Sequence, residues 1–289
     1  MSTSTTQRII NFGEKMWGVL SLVLPQFVMD WLGTSVAKML FFYSDRSLGA
    51  ETAKNRRPIP PAPLRYRVWG DPDISTFLWS GDHCRKDIDR ALQQLGIDWN
   101  TSGQILDFGC GCGRIFSYLP EEIHTRYVGV DTDGEAIAWC NKNHPQVTFL
   151  VNDPAPTLYF PDATFDLILA IAVFRHLDEE NQFLWLEELR RVVKPGGIVM
   201  ISLHGRFCWQ GFAESETKQL EEVGFLCKPL KDPYQRSIFP EWYQATYHHQ
   251  DYIMKHYVKY FEIVEYITRG IENETDLVLC RKTNLGNKI

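Results

Sequence analysis

Ile105-Leu106-Asp107-Phe108-Gly109-Cys110-Gly111-Cys112-Gly113-Arg114-Ile115 is an apolar run that breaks into a glycine-rich turn and is expected to re-enter a helix. A second apolar run, Tyr127-Val128-Gly129-Val130, ends in an acid, Asp131. Glycine has no Cβ, so it suits a backbone that must turn sharply and let a ligand approach closely. A carboxylate about 20 residues beyond such a turn can accept hydrogen bonds from both hydroxyls of a ribose. Together the two stretches specify an adenosine-containing ligand on a parallel α/β sheet.

Three details argue against a dinucleotide. The dinucleotide fingerprint G-x-G-x-x-G requires a third glycine, and the position where it would fall is Arg114. Asp107 sits at the strand end, where its charge opposes a pyrophosphate and attracts an ammonium group. A third apolar run, Val147-Thr148-Phe149-Leu150-Val151, is followed by Asn152-Asp153, which can meet an adenine edge.

This assembly resembles the class I S-adenosylmethionine-dependent methyltransferases. The family's first motif matches residues 106–113, its ribose acid Asp131 and its adenine-contact position Asp153. Phe165-Asp166-Leu167-Ile168-Leu169-Ala170 matches its fourth motif, and Leu189-Arg190-Arg191-Val192-Val193-Lys194-Pro195-Gly196-Gly197 matches the helix end and turn before its fifth strand. Five motifs in order carry the likeness over roughly residues 75–283. The resemblance implies S-adenosyl-L-methionine as cofactor. It places Gly109, Cys110, Gly111 and Gly113 against the methionine carboxylate and Asp107 against its ammonium. It further places Asp131 and Thr132 at the ribose, Asn152 and Asp153 at the adenine amine, and Ala170 and Ile171 beside the sulfonium. His176, in Ala172-Val173-Phe174-Arg175-His176-Leu177, is the best-placed candidate base, since histidine titrates near neutral pH. Related enzymes often carry Ser and Thr where this chain has Ala172 and Arg175, which weakens any carry-over of acceptor contacts. Bland readings stay open beside these: Asp131 as a helix cap, Asp153 as an ordinary Asp-Pro turn, and His176 as a residue that orders its loop.

The bulk properties narrow the partners. The chain has 289 residues and a formal net charge of −6, enough length for one large α/β domain with extensions. The charge opposes a nucleic-acid surface, which needs a basic stripe. The short basic cluster Lys54-Asn55-Arg56-Arg57 reads as solvated linker. Seven scattered cysteines form no disulfide framework, so reduced thiols and a cytoplasmic setting are expected. Cys110-x-Cys112 lacks zinc spacing and further ligands, and no metal is expected. Tyr247-His248-His249 is likewise discounted, because adjacent histidines diverge on a helix.

The expected organisation is an N-terminal helical segment with a proline-rich connector, 1–63, followed by a cofactor-binding domain, 64–289. Residues 16–43 are strongly apolar, with Trp17, Leu20, Leu24, Phe27, Trp31 and Leu32 at helical spacing and a kink expected at Pro25. The run is too short to span a bilayer. It reads as a lid or subunit contact, as a peripheral membrane anchor, or as an ordinary core helix. A helix is expected over 82–95, ended by Gly96. Runs at 105–109, 126–131, 147–151, 166–171 and 197–203 read as parallel strands buried on both faces, and 260–267 with 276–280 as a terminal hairpin. The resemblance implies a Rossmann-like seven-stranded, mostly parallel sheet with an antiparallel last strand. An aromatic-rich segment, 204–259, forms a helical or aromatic insert before the hairpin. It could line an acceptor pocket or simply add a packed layer.

The expected function is methyl transfer to a small, lipophilic or aromatic acceptor at oxygen or nitrogen. Transfer to carbon or to a lipid at a membrane surface, and a non-catalytic cofactor-binding scaffold, are the alternatives. No base-amine motif (Asn/Asp-Pro-Pro-Tyr/Phe) follows the fourth strand.

Overall fold

The computed structural model describes residues 26–230, 233–236, 238–240 and 243–283. Trp17, Leu20, Leu24 and the kink expected at Pro25 lie outside the described residues, as do the side chains of Phe27, Trp31 and Leu32. The chain forms two compact units. One comprises residues 1–80 with 229–243, the other 81–228 with 244–289.

In the first unit the helices Gln26–Ser44, Leu48–Asn55 and Ala62–Trp69 follow one another. Ala37, Leu40 and Tyr66 make its small core, with Phe41, Ile238 and Phe239 packed against them. Arg65 is completely buried. Its guanidinium donates to the carbonyls of Pro72 (2.7 Å) and Pro60 (2.5 Å) and pairs with Asp45 at 3.0 Å. That set of partners offsets the cost of burying the charge and pins the proline-rich connector. Met39, Phe42 and Tyr43 on the first helix are exposed. No helix among the described residues is long and apolar enough to cross a membrane.

The helix expected over 82–95 runs instead from Ile74 to Gln94. Asp73 starts it earlier: its Oδ1 accepts from the N–H groups of Ser75 (2.8 Å) and Thr76 (3.1 Å), satisfying donors that a helix N-terminus leaves open. Gly96, at φ +68°, follows its end.

The second unit is built on a seven-stranded sheet. Its strands are β1 (Ile105–Phe108), β2 (Tyr127–Asp131), β3 (Thr148–Val151), β4 (Phe165–Ala170), β5 (Val193–Leu203), β8 (Glu262–Ile271) and β9 (Thr275–Arg281). β6 (Phe225–Pro229) and β7 (Gln244–His248) form a separate two-stranded sheet inside the aromatic segment. The large sheet runs β3-β2-β1-β4-β5-β9-β8. β1 pairs in parallel with both β2 and β4, and β9 is antiparallel to β5 and to β8. The expected hairpin is therefore present, with its second strand inserted next to β5.

Side-chain alternation divides the core into two layers. Ile105, Leu167, Leu169, Ile198 and Met200 pack on one face with Cys84, Ile88 and Leu92. Leu106, Phe108, Ile168, Val199 and Ile201 pack on the other with Trp185, Leu186 and Leu189 of the helix Glu179–Val192. β3 departs from the expectation of burial on both faces. Only Phe149 of its four residues is buried, because β3 is the sheet edge.

No α-helix opens at the glycine turn. Residues 111–115 form turns, and only a three-residue 3-10 helix, Phe116–Tyr118, follows. Gly113, at φ +73°, cannot continue a right-handed helix. Leu119 is extended (ψ 151°), as a residue before proline prefers to be. Too few residues remain between Gly113 and Pro120 to nucleate a helix.

Candidate active site

In an open parallel sheet, ligands bind beyond the carboxyl ends of the strands where the strand order reverses. Here that place lies between β1 and β4, and the glycine turn stands on it. Gly109, Gly111 and Gly113 all have positive φ (79°, 53° and 73°), a conformation that penalises any other residue. Gly109 is also fixed by crowding, since a Cβ there would lie 2.2 Å from Cγ2 of Val173. The turn is latched to β2: the N–H groups of Gly109 and Cys110 donate to the carbonyl of Val130 at 2.8 and 3.0 Å.

Asp131 closes the same latch with its side chain. Oδ2 accepts from the N–H of Gly111 at 2.7 Å, and Oδ1 from the N–H of Asp133 at 2.8 Å. A carboxylate offers about four lone-pair positions, so each oxygen keeps capacity for a hydroxyl. The following helix, Gly134–Asn143, is capped by Asp133 rather than Asp131. Burial raises the Asp131 carboxyl above the usual carboxylate range, opposed by the backbone donors of Asp133 and Gly111. Thr132 is exposed.

Asp107 is almost wholly buried and accepts a hydrogen bond from the hydroxyl of Tyr127. Burial pushes its carboxyl up to about 6. The Tyr127 hydrogen bond and the positive charge of Arg114 work against that rise, and the charge of Asp131 adds to it. Cys110 is buried beside the turn, and its thiol lies well above its ordinary value because of desolvation. Cys112 is pushed up to about 12 for the same reason.

Asn152 and Asp153 differ in setting. Asn152 is buried, and its N–H donates to the carbonyl of Asp131 at 3.0 Å. Its Oδ1 has no hydrogen-bond partner among the described residues. Asp153 is exposed, and its Oδ1 accepts from the N–H of Ala155 at 2.8 Å, so it also forms the turn that its Asp-Pro sequence foretold.

On the other side of β1, Ala170 and Ile171 are buried where β4 ends. Ala172 adopts φ +64°, a rare conformation outside glycine, and its N–H donates to Oγ of Ser202 at 2.7 Å. The turn that follows carries Phe174–His176 as a 3-10 helix. His176 has both ring nitrogens engaged. Nδ1–H donates to the carbonyl of Gln244 at 2.9 Å, and Nε2 accepts from Nε–H of Arg175 at 3.1 Å. Burial, then the charge of Arg175, drives its pKa well below the usual histidine range.

β7 of the aromatic segment thus clasps the loop after β4, and two further buried groups complete the clasp. The Thr246 hydroxyl donates to the carbonyl of Phe174 at 3.0 Å. Gln182 donates to the same carbonyl at 2.8 Å and accepts from the hydroxyl of Tyr257 at 2.9 Å. The residues that sequence reasoning missed are Tyr127, Asp133, Arg175, His204 and Thr246. Only Arg175 stood out, as a departure from a common threonine; the others are paired by tertiary contacts that no local pattern encodes.

The residues present suit S-adenosylmethionine. Positive-φ glycines give a backbone cradle without Cβ atoms, the Asp131 carboxylate is fixed against it by the Gly111 N–H, and a second buried carboxylate, Asp107, stands at its foot.

Comparison with known proteins agrees. Residues 106–201 match the methyltransferase domain family. A curated relative, the 2-methyl-6-phytyl-1,4-hydroquinone methyltransferase of Synechocystis sp., is 31% identical over 159 residues, covering 47% of this chain and 49% of that protein. The chain thus spans about half the length of that relative. The tRNA (carboxymethyluridine(34)-5-O)-methyltransferase of Arabidopsis thaliana is 38% identical over 100 residues, which is 34% of this chain and 23% of that one. Among solved structures, the 1,6-didemethyltoxoflavin-N1-methyltransferase of Burkholderia thailandensis superposes with a TM-score of 0.51 at 16% identity, over 78% of this chain and 92% of that chain. At that identity the likeness concerns the fold alone.

Proposed function

We propose that this chain, whose residues 106–201 match the methyltransferase domain family, moves the methyl group of S-adenosylmethionine to a small lipophilic or aromatic acceptor, at oxygen or nitrogen. The observation that carries the reading is the latch between Asp131 and the Gly111 N–H at the switch point. It fixes the Asp131 carboxylate, which would accept the ribose hydroxyls, and the glycine cradle as one unit.

When bound, the cofactor supplies a methyl carbon already activated by a sulfonium. What remains for the protein is alignment and exclusion of water. Gly109–Gly113 would hold the methionine end, with Asp107 meeting its ammonium. Asp131 would hold the ribose, and Asn152 and Asp153 the adenine edge. The acceptor would enter from the β4 and β5 side, between the loop 170–176 and the aromatic segment. His176 fits a positioning role there. Its Nε2 lone pair is already given to Arg175, which leaves nothing with which to take the acceptor's proton.

A small-molecule acceptor is favoured by the net charge of −6 and by the hydroquinone named for the Synechocystis relative. A second reading, transfer to tRNA, is motivated by the Arabidopsis relative. Calorimetric titration with S-adenosylhomocysteine and with NAD, followed by methyl-label incorporation into phenols, hydroquinones, amines and bulk tRNA, separates these readings. Binding of NAD in preference to S-adenosylhomocysteine would overturn the proposal. Label appearing in tRNA alone would replace the acceptor class.

A further inference from the structure

Among the described residues, Arg175 is a half-buried cation without an anionic partner. Its Nε–H donates to His176 Nε2 at 3.1 Å, and Nη1 lies 3.5 Å from His204 Nε2. Both imidazoles are set to accept: Nδ1–H of His176 donates to the Gln244 carbonyl at 2.9 Å, and Nδ1–H of His204 to the Thr246 carbonyl at 3.1 Å. Burial, with Arg175 as the next cause, holds both histidines far below their ordinary pKa, His204 at about 3. They orient the guanidinium and contribute no charge.

An arginine has five N–H donors, and these contacts use two. Nη2 has no hydrogen-bond partner, and no carboxylate lies within ion-pair distance of Arg175 among the described residues. The side chain is half-buried, where an uncompensated charge is costly. The two fully buried arginines among the described residues are paired with carboxylates, Arg65 with Asp45 at 3.0 Å and Arg114 with Glu272 at 2.8 Å. The half-buried Arg126 and Arg190 donate to backbone carbonyls, whereas Arg175 meets only imidazole nitrogens.

Position matters as much as charge. Arg175 lies two residues beyond Val173, whose Cγ2 fills the place of a Cβ on Gly109. His204 follows the end of β5. The cation therefore stands at the carboxyl ends of β4 and β5, on the side of the switch point opposite Asp131 and Asn152. Beside it, His204 stacks on Tyr247 (4.9 Å between centroids, 22°), and Phe212 meets Tyr247 edge-on at 4.7 Å.

We infer that Arg175 receives an oxyanion, a carboxylate or phosphate, carried by a ring-bearing methyl acceptor. The guanidinium would bind the anion through Nη2, the two neutral histidines fixing its direction and the Tyr247 wall taking the ring. This deepens the methyl-transfer reading and rests on it.

The test uses the full chain saturated with S-adenosylhomocysteine, with ligand-observed NMR to read binding. The probes are benzoate, its neutral isostere benzamide, and inorganic phosphate. Benzoate or phosphate should bind at least about tenfold more tightly than benzamide. Whichever oxyanion binds better assigns carboxylate or phosphate. Arg175→Gln should abolish the preference, Arg175→Lys should keep part of it, and both should bind S-adenosylhomocysteine within about twofold of the parent chain. Equal binding of benzoate and benzamide with no phosphate binding, no binding of any probe, or a preference that survives Arg175→Gln would overturn the inference. If Arg175→Gln does not fold, the comparison of charged and neutral probes on the parent chain still decides. Failure of the parent chain to bind S-adenosylhomocysteine would instead strike the methyl-transfer reading.

Discussion

Arg114, directly after the glycine turn, forms a buried ion pair with Glu272 in the turn between β8 and β9, at 2.8 Å. Both side chains are more than nine-tenths buried, at 5% and 8% exposure. The N–H of Glu272 in turn donates to Oδ2 of Asp87 at 2.6 Å. The position that would hold the third glycine of a dinucleotide fingerprint thus ties the glycine turn to the terminal hairpin across the sheet.

Breaking this pair from one side should be costly. Glu272→Leu leaves the Arg114 charge buried without its carboxylate, a loss on the order of 3–5 kcal/mol. The thermal midpoint should fall by about 10 °C. The double variant Arg114→Met with Glu272→Leu should recover part of the loss, because it removes the stranded charge. Differential scanning calorimetry of the three proteins checks this, and a single variant as stable as the parent would refute it.

The ribose acid gives a second test. Asp131→Ala removes the acceptor for the Gly111 N–H as well as for the ribose hydroxyls. S-adenosylhomocysteine affinity should drop at least about tenfold, measured by calorimetry on a variant whose circular dichroism matches the parent. Unchanged affinity would remove Asp131 from the site.

Asp107 predicts a pH dependence. Burial first, and Asp131 among the lesser causes, raises its carboxyl to about 6 from 3.8. Between those values the unfolded chain has lost the proton and the folded chain keeps it. Stability of the ligand-free protein should therefore fall as pH rises from about 4 to about 6 and level off above, by about 3 kcal/mol from this group. Cofactor affinity should move the opposite way, because an ammonium needs the carboxylate: weak at pH 5, stronger at 7, flat above. In Asp107→Asn the step near pH 6 should vanish from both titrations.

His176 should leave no mark on the pH profile. Its pKa is depressed well below the ordinary value, so the ring stays neutral across the range where an exposed histidine would titrate. Once an acceptor is identified, His176→Ala should raise its KM more than it lowers kcat, and His176→Asn should recover part of the loss by donating to the Gln244 carbonyl. An acidic limb near 6.5 in the parent that disappears in His176→Ala would restore the general-base role.

The glycine-turn half of the candidate site was legible in the chain because it is local. Gly109, Gly111 and Gly113 are needed where φ turns positive, and Asp131 ends the strand hydrogen-bonded beside them, as the apolar runs indicate. Period and run length also give the strands of the large sheet, since burial on two faces demands continuous apolar residues. What local pattern could not give was burial at the edge, where β3 looks like its neighbours yet is mostly exposed. Nor could it give the short helix after the turn, which Gly113 and Pro120 cut off together. The cluster at the ends of β4 and β5 was decided by tertiary structure alone. Arg175, His176, His204 and Thr246 come from three separate stretches of chain, and β7 brings them together by long-range hydrogen bonds. Such bonds join residues far apart in the chain and leave no periodic trace in it. The sequence therefore determines the glycine turn and the acid beside it, and the packing of the aromatic segment determines which charges and rings gather at the carboxyl ends of β4 and β5.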